Sequence, residues 1–304
     1  MEQRIVALDV GGTSIKAGLV RSTDQGISLI EDSLLARPSH AEQEADRILE
    51  ALTGMIEKVA SFAEKVDGVA FGFPGPFDDA KGISYMKGLG KFEAIYGMPL
   101  VPAMKERLKG RGNTAWEEIP FSFVNDAWAF ALGEARYGAA ARYPRVFCLT
   151  LGTGCGSAFL EHGKLVQGKD GVPANGMIFD QPFRDSKVDD YISRRYLLQC
   201  AKEKGLDLDG KGLFREASNG NGEAEEVFQD YGSVLGQAIR PFVLSFQPDV
   251  LLLGGGISQA VSFFEGALQE ELPLDHLPPV ICSKNLSRSA LLGAAGHWLD
   301  QFAI

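Results

Sequence analysis

Histidine and cysteine are both scarce in this 304-residue chain, four of each, and neither type clusters. Cys148, Cys155, Cys200 and Cys282 lie far apart, with no Cys-x-x-Cys pair and no histidine group beside them. The spacing supports neither a disulfide framework nor a sulfur-ligated zinc site and suggests reduced thiols in or near the core. His40, His162, His276 and His297 show no ligand spacing, so surface or core roles are expected of all four. No apolar run approaches the ~18 residues of a membrane span. The start, Met1 to Val10, is a polar tetrapeptide and a brief apolar run, too short for a signal peptide, so a cytoplasmic protein is expected. Basic residues are in the minority, 30 against 40 acidic ones, for a formal charge of −10. That balance opposes sequence-independent binding to a nucleic-acid backbone. A small anion is still permitted, because backbone amides and a divalent cation supply positive potential locally.

What remains is an ordinary globular composition, 45% hydrophobic and 23% charged, with an excess of glycine. Its 36 glycines exceed the usual ~7% without the period of collagen, so they read as turns. Internal similarity gives the first organisational clue. Leu8 to Val20 (LDVGGTSIKAGLV) laid over Leu149 to Glu161 (LTLGTGCGSAFLE) matches Leu8, Gly11, Ala17 and Leu19 with Leu149, Gly152, Ala158 and Leu160. Each segment is an apolar run, a glycine-rich tip and a second apolar run, as in a β-hairpin. Two such hairpins open two successive halves of the chain, as expected of two related lobes that each present a hairpin toward a shared cleft.

Between them, Ala45 to Val66 carries apolar residues at helical spacing, and Val69 to Phe73 reads as a short strand closed by Pro74-Gly75-Pro76. Phe121 to Val124 reads as a strand that hands over at Asn125-Asp126 to a helix through Tyr137. In the second half, Val227 to Phe246 reads as a helix that Pro241 should kink or break. Asp249 to Leu253 reads as a buried strand, turned by Gly254-Gly255-Gly256 into a helix with Ser258 as its N-cap. Pro279 to Cys282 and Ser287 to Phe302 complete the chain as strand and helix. The alternation makes the protein α/β.

Chemistry concentrates in a few places. Asp9-Val10-Gly11-Gly12-Thr13 puts a carboxylate at a strand end before glycines that let successive amides converge on an anion; it also suits a plain hairpin whose aspartate bonds its own turn. Leu151-Gly152-Thr153-Gly154-Cys155-Gly156 is a second such cradle. Neither is a P-loop, lacking the Lys-Ser/Thr pair, and neither opens a helix as a dinucleotide fingerprint does. Asp126 beside Asn125 is either a general base for a substrate hydroxyl or a helix cap. Gly254 to Gly256 suits a flat nucleoside or a tight turn. No Gly-x-Ser-x-Gly elbow is present.

In order and spacing, LDVGGTSIKAGLV, VAFGFPGPFD, FVNDAWAFALGE, LTLGTGCGSAF and PDVLLLGGGIS resemble segments of the ROK family, sugar kinases and related repressors, from position 5 to about 298. The resemblance implies a two-lobed actin-like ATPase (ribonuclease H-like) fold with the active site in the interdomain cleft. It places a small lobe at 1–122 plus 287–304 and a large one at 123–286. It implies ATP and Mg2+, transfer of the γ-phosphoryl group to a sugar hydroxyl, and a possible homodimer. By resemblance, phosphate and nucleotide contacts fall on Asp9, Gly11, Gly12, Thr13, Gly152, Thr153, Gly154, Gly254, Gly255 and Gly256. Sugar contacts fall on Asn125, Gly75 and Asp189, the base on Asp126, and magnesium on Asp9 through water.

Two departures qualify that assignment. Many family members hold a structural zinc after the second hairpin, whereas Gly171 to Asp190 contains no His and no Cys. No zinc is expected, and elemental analysis checks it. Sugar kinases of the family also carry a Gly-Glu-x-Gly-His segment there; this chain has Pro173-Ala174-Asn175-Gly176-Met177, and Asp189 falls near a later sugar-binding Glu. A pocket so rebuilt suggests a sugar or polyol other than glucose, because hydrogen-bonding sites discriminate strongly against ligands lacking the matching group. The family's repressors place a helix-turn-helix before the kinase-like body, while this chain enters its first strand by Ile5. DNA binding is therefore not expected; a nucleotide-binding switch without turnover is the remaining alternative.

Overall fold

The computed structural model describes residues 2–110, 114–272, 275, 277–284 and 286–303, with Thr114 described in its backbone only. His276 lies outside them. In chain order the elements are β1 (Gln3–Val10), β2 (Ser14–Thr23), β3 (Gly26–Pro38), α1 (Ala45–Ala60), β4 (Gly68–Phe73), β5 (Phe77–Asp78), β6 (Ile83–Ser84), α2 (Leu100–Gly110), β7 (Phe121–Asn125) and α3 (Asp126–Tyr137). There follow β8 (Arg145–Leu151), β9 (Cys155–Glu161), β10 (Lys164–Leu165), β11 (Pro182–Phe183), β12 (Ser186–Lys187), α4 (Val188–Ile192), α5 (Arg194–Glu203), α6 (Gly210–Ser218), α7 (Gly222–Phe246), β13 (Val250–Gly254), α8 (Val261–Glu270), β14 (Val280–Cys282) and α9 (Leu286–Phe302). Two compact units result: the chain as far as Tyr137 together with α9, and Gly138–Lys284.

The first unit is built on a five-stranded sheet ordered β3-β2-β1-β4-β7. β1 to β3 form an antiparallel meander, and β4 and β7 add to β1 in parallel. All six residues of β4 are buried, as a central parallel strand covered on both faces requires. Alternation along β1 sends Val6, Leu8 and Val10 into the cluster that α1 fills with Ile48, Leu52, Met55, Ile56 and Val59. Ile5 faces the other way beside its register partner Gly68, against which the indole of Trp298 in α9 packs. The Trp298 N–H donates to the Pro120 carbonyl at 3.0 Å. α1 stops at Ala60, short of Val66, where the Ser61 hydroxyl turns back on the Lys58 carbonyl. α3 and α9 cross in direct backbone contact, because Gly133 and Gly293 present no side chain at the crossing.

The second unit repeats the plan in the order β10-β9-β8-β13-β14, an antiparallel hairpin extended by parallel strands. Phe147 and Phe159 stack with ring centroids 4.2 Å apart at its centre. Pro241, expected to interrupt α7, does not: Val234, Leu235, Ala238 and Ile239 before it and Val243 and Phe246 after it are buried in one core, which carries the helix through an exposed proline. Among the described residues no cysteine forms a disulfide; Cys148 and Cys155 are buried and the other two half-buried. His162 is exposed, and His40 and His297 are half-buried. Among the described residues no helix is long and apolar enough to cross a membrane.

Candidate active site

In the first unit the parallel strands β1, β4 and β7 finish at one edge of the sheet, Asp9 opposite Gly72 and Phe73 opposite Asn125. Carboxyl ends of parallel strands are where α/β sheets bind ligands. Asp9, the Gly11–Thr13 tip, Gly75, Asn125 and Asp126 are therefore brought to one edge by the topology. The tip is fixed at both ends: Gly11 N–H donates to the Ser14 carbonyl at 2.9 Å, and Ser39 bonds the Gly12 carbonyl at 2.8 Å and the Thr13 carbonyl at 3.2 Å.

Asn125 ends β7, and its side-chain oxygen accepts the amides of Ala127 at 3.0 Å and Trp128 at 3.4 Å. It is therefore the residue that caps α3. Its oxygen is committed to the helix while its Nδ2 points toward Gly75, where a methyl would lie 3.7 Å away. Asp126, the first residue of α3, accepts the Ala127 amide at 2.9 Å with one carboxylate oxygen. Burial raises its pKa above the ordinary value, opposed by the Ala127 amide and by the charge of Lys91. Asp9 is pushed up to about 6, first by burial and then by the charge of Asp126, with Lys16 acting against the shift. Lys16 faces Asp9 across the β1–β2 pair and donates to the Ser287 hydroxyl of α9 at 2.6 Å.

Two residues that sequence reasoning passed over stand in the same place. Asp79 receives the Asn125 backbone N–H, feels the charge of Asp126, and is raised to about 6 by burial first and by Asp78 second. Its Oδ1 is buried and, among the described residues, accepts no hydrogen bond. The only signal in the sequence was its position three residues beyond Pro76. Lys91 lies with its Cδ 3.3 Å from where a Gly12 methyl would be, and its charge reaches Asp126. It is flagged by nothing but its place next to Gly90.

A carboxylate raised in the folded state favours folding while neutral and opposes it once ionised, so the stability it contributes is lost as pH rises toward and through 6. Asp79→Asn is accordingly expected to stabilise the fold at pH 8, by on the order of 1–3 kcal/mol, and to change nothing near pH 4. Thermal melts of both proteins at the two pH values check this; equal shifts at both would contradict it.

In the second unit, β8 and β13 also end side by side, Thr150 opposite Gly254. Gly255 takes a left-handed φ of 88° with its α-carbon pressed against the Leu151 backbone, so the glycine turn and the Gly152–Gly154 hairpin tip are immediate neighbours. Ser258, expected as an N-cap, instead lies within a short 3-10 turn from Ile257 to Ala260 and donates to the Gly255 carbonyl at 2.8 Å. The helix proper starts at Val261. Asp189 is at this hairpin too: its carboxylate accepts the Cys155 amide at 2.7 Å and lies 3.0 Å from where a Gly154 methyl would be. The Asn175 side chain accepts the Met177 amide at 3.0 Å, and the Ile178 amide donates to Ser157 of β9 at 2.9 Å, folding the segment onto the sheet. Among the described residues no group of three His, Cys, Asp or Glu side chains could hold a metal ion by itself.

A sequence model of the ROK family matches residues 5–300. The chain belongs to the ROK family. It is 26% identical to a glucokinase of Thermotoga maritima, covering 96% of both chains. It is 28% identical to a β-glucoside kinase of Klebsiella pneumoniae over 86% of this chain and 84% of that one. Among solved structures, the ROK glucokinase of Streptomyces griseus in complex with glucose and AMPPNP superposes with a TM-score of 0.75 at 22% identity, covering 97% of this chain and 98% of that one. The fold is the actin-like ATPase fold of the ROK sugar kinases, and its two five-stranded sheets share one plan.

Proposed function

We propose that this ROK protein transfers the γ-phosphoryl group of ATP to a hydroxyl of a sugar or polyol, with Asp126 as the general base. The protein is a carbohydrate kinase, as its named relatives are. The observation that carries the finer reading is the joint placement of Asp126, Asn125 and the Gly11–Thr13 tip at the ends of β1, β4 and β7. A base must reach the hydroxyl it deprotonates, and a phosphate cradle must present amides close by. One edge of one sheet supplies both.

Asn125, its oxygen spent on the cap, offers Nδ2 as a donor to a substrate oxygen. Gly75 leaves room beside that amide for the sugar. Asp79, with one buried oxygen unpartnered among the described residues, is assigned to an acceptor hydroxyl, and Asp189 to the hairpin that meets the nucleotide. Gly12 and Thr13 in the first unit, and Gly152–Gly154 with Gly254–Gly256 in the second, are assigned to the nucleotide. Magnesium is assigned to arrive on the phosphates of ATP, with Asp9 contributing through water. The Asp9 carboxylate fits that role, since a group pushed up to about 6 by burial and a neighbouring carboxylate gains from facing a cation. The ion would neutralise phosphate charge.

The acceptor is read as other than glucose, from the rebuilt Pro173–Met177 segment. Initial rates on glucose, mannose, fructose, N-acetylglucosamine and sorbitol are expected to show glucose well below the best acceptor. Glucose phosphorylated as efficiently as any of them would overturn that part of the proposal.

A further inference from the structure

Lys91 is a cation at the site edge, close to Asp126, to which the proposed function gives no task. Its backbone is locked from both sides. The Gly90 amide donates to the Glu93 carboxylate at 2.9 Å, and the Phe92 amide donates to the Ala41 carbonyl at 2.5 Å. Phe92 itself adopts a left-handed φ of 56° with its ring fully buried against Phe73, centroids 5.4 Å apart. A loop held this firmly gives its lysine a fixed base from which to reach.

The direction of that reach is defined by two neighbours. The aliphatic stem lies on Gly12, with Cδ 3.3 Å and Cβ 4.0 Å from where a methyl would be. The ammonium is close enough to Asp126 for its charge to act on that carboxyl. Among the described residues no hydrogen bond or ion pair occupies the ammonium. A cation between a phosphate hairpin and a general base occupies the ground that a phosphoryl group must cross from donor to acceptor.

We propose that Lys91 is a catalytic residue that contacts the phosphoryl group in flight and stabilises the charge on its equatorial oxygens. The inference rests on the kinase reading of the same site. In the step, the bond between the γ-phosphorus and the β,γ-bridging oxygen breaks, the oxygen and the bonding electron pair leaving with ADP, while a bond forms from the acceptor oxygen to phosphorus. The acceptor proton passes to Asp126. Lys91 neither gains nor loses a proton; its charge matches one that is more spread in the transition state than in ATP. Asp126 and Lys91 thus act on opposite partners of the transfer, the hydroxyl and the phosphoryl group.

The test compares wild type, Lys91→Met and Lys91→Arg in steady-state ADP release with the best acceptor of a hexose and polyol panel. Calorimetric titration with Mg-ADP, with and without aluminium fluoride, accompanies it. Lys91→Met is expected to lose roughly 10²–10³-fold in kcat while KM for the acceptor changes less than about threefold, since an interaction made in the transition state alone leaves ground-state binding intact. It should bind Mg-ADP as wild type does and lose the tightening that aluminium fluoride brings. Lys91→Arg, which keeps the charge, should recover most of the rate. Thermal melts establish that all three are folded. If wild type turns over and Lys91→Met retains its kcat within threefold, the lysine assignment falls and the kinase reading stands. Loss confined to KM likewise overturns it, by making Lys91 a binding residue. A folded wild type that binds Mg-ADP but phosphorylates no member of the panel overturns the parent reading, and this one with it.

Discussion

Asp126→Asn is expected to lower turnover by a factor on the order of 10²–10⁴, the range a positioned base supplies, and to leave ATP affinity within a few-fold of wild type. The asparagine keeps the shape of the side chain and can still accept the Ala127 amide, so α3 starts where it did. What it removes is the proposed proton acceptor. Because burial holds the wild-type carboxyl above its ordinary value, kcat should fall as pH is lowered through a point above the usual ~3.9 of an aspartate. The sign is fixed by the chemistry: the base works ionised, so activity is present above that pH and lost below it. Stopped-time assays of ADP from pH 5 to 8, with nucleotide binding measured on the variant, decide the matter. Parallel losses of turnover and of ATP binding would assign Asp126 a structural role.

The second large effect is structural and reaches the site through α3. Gly133 and Gly293 let α3 and α9 touch backbone to backbone, and a methyl on Gly133 would overlap the Ser289 carbonyl. Close by, the Ser289 hydroxyl donates to the Glu134 carboxylate at 2.6 Å inside the same seam, so the helices cannot part without breaking a buried polar bond. Overpacking of a tight contact costs roughly 1–3 kcal/mol, more where backbone must move. Gly133→Ala is therefore expected to cost about 3 kcal/mol or more, a fall in Tm on the order of 10 °C. Since Asp126 opens the same helix, kcat should fall along with it. A control at Gly54 inside α1, where a methyl meets nothing within 4 Å, should leave kcat unchanged and should not lower Tm, because alanine favours the helix. An unaltered melt for Gly133→Ala would contradict the close crossing.

The parts legible in the sequence are those in which local pattern and tertiary demand agree. β1, β4, β7 and β13 are apolar runs closed by glycine, proline or polar residues, and each strand ends within a residue or so of the expected place. The two hairpins were readable for the same reason, their tips needing glycine and their arms needing apolar residues. Where local and tertiary preferences disagree, the pattern misleads. Pro241 argues for a break by its own chemistry, but buried residues on either side hold α7 together. Ser258 looks like a cap, yet its hydroxyl donates back to Gly255 inside a tighter turn. Asp79 and Lys91 were silent because each sits in an irregular segment placed by distant partners: Asn125 for the first, Ala41 and Phe73 for the second. No periodicity marks a residue whose position is decided by partners so far along the chain.

The central claim is that this chain phosphorylates a sugar or polyol using Asp126. Its most direct test incubates wild type and Asp126→Asn with Mg-ATP and each member of a panel of hexoses, amino sugars and polyols, following ADP release and identifying product by phosphorus NMR. A phosphomonoester of at least one acceptor is expected in step with ADP from wild type, and neither from the variant. ATP binding without a phosphorylated product across the panel, or a variant as active as wild type, would contradict it.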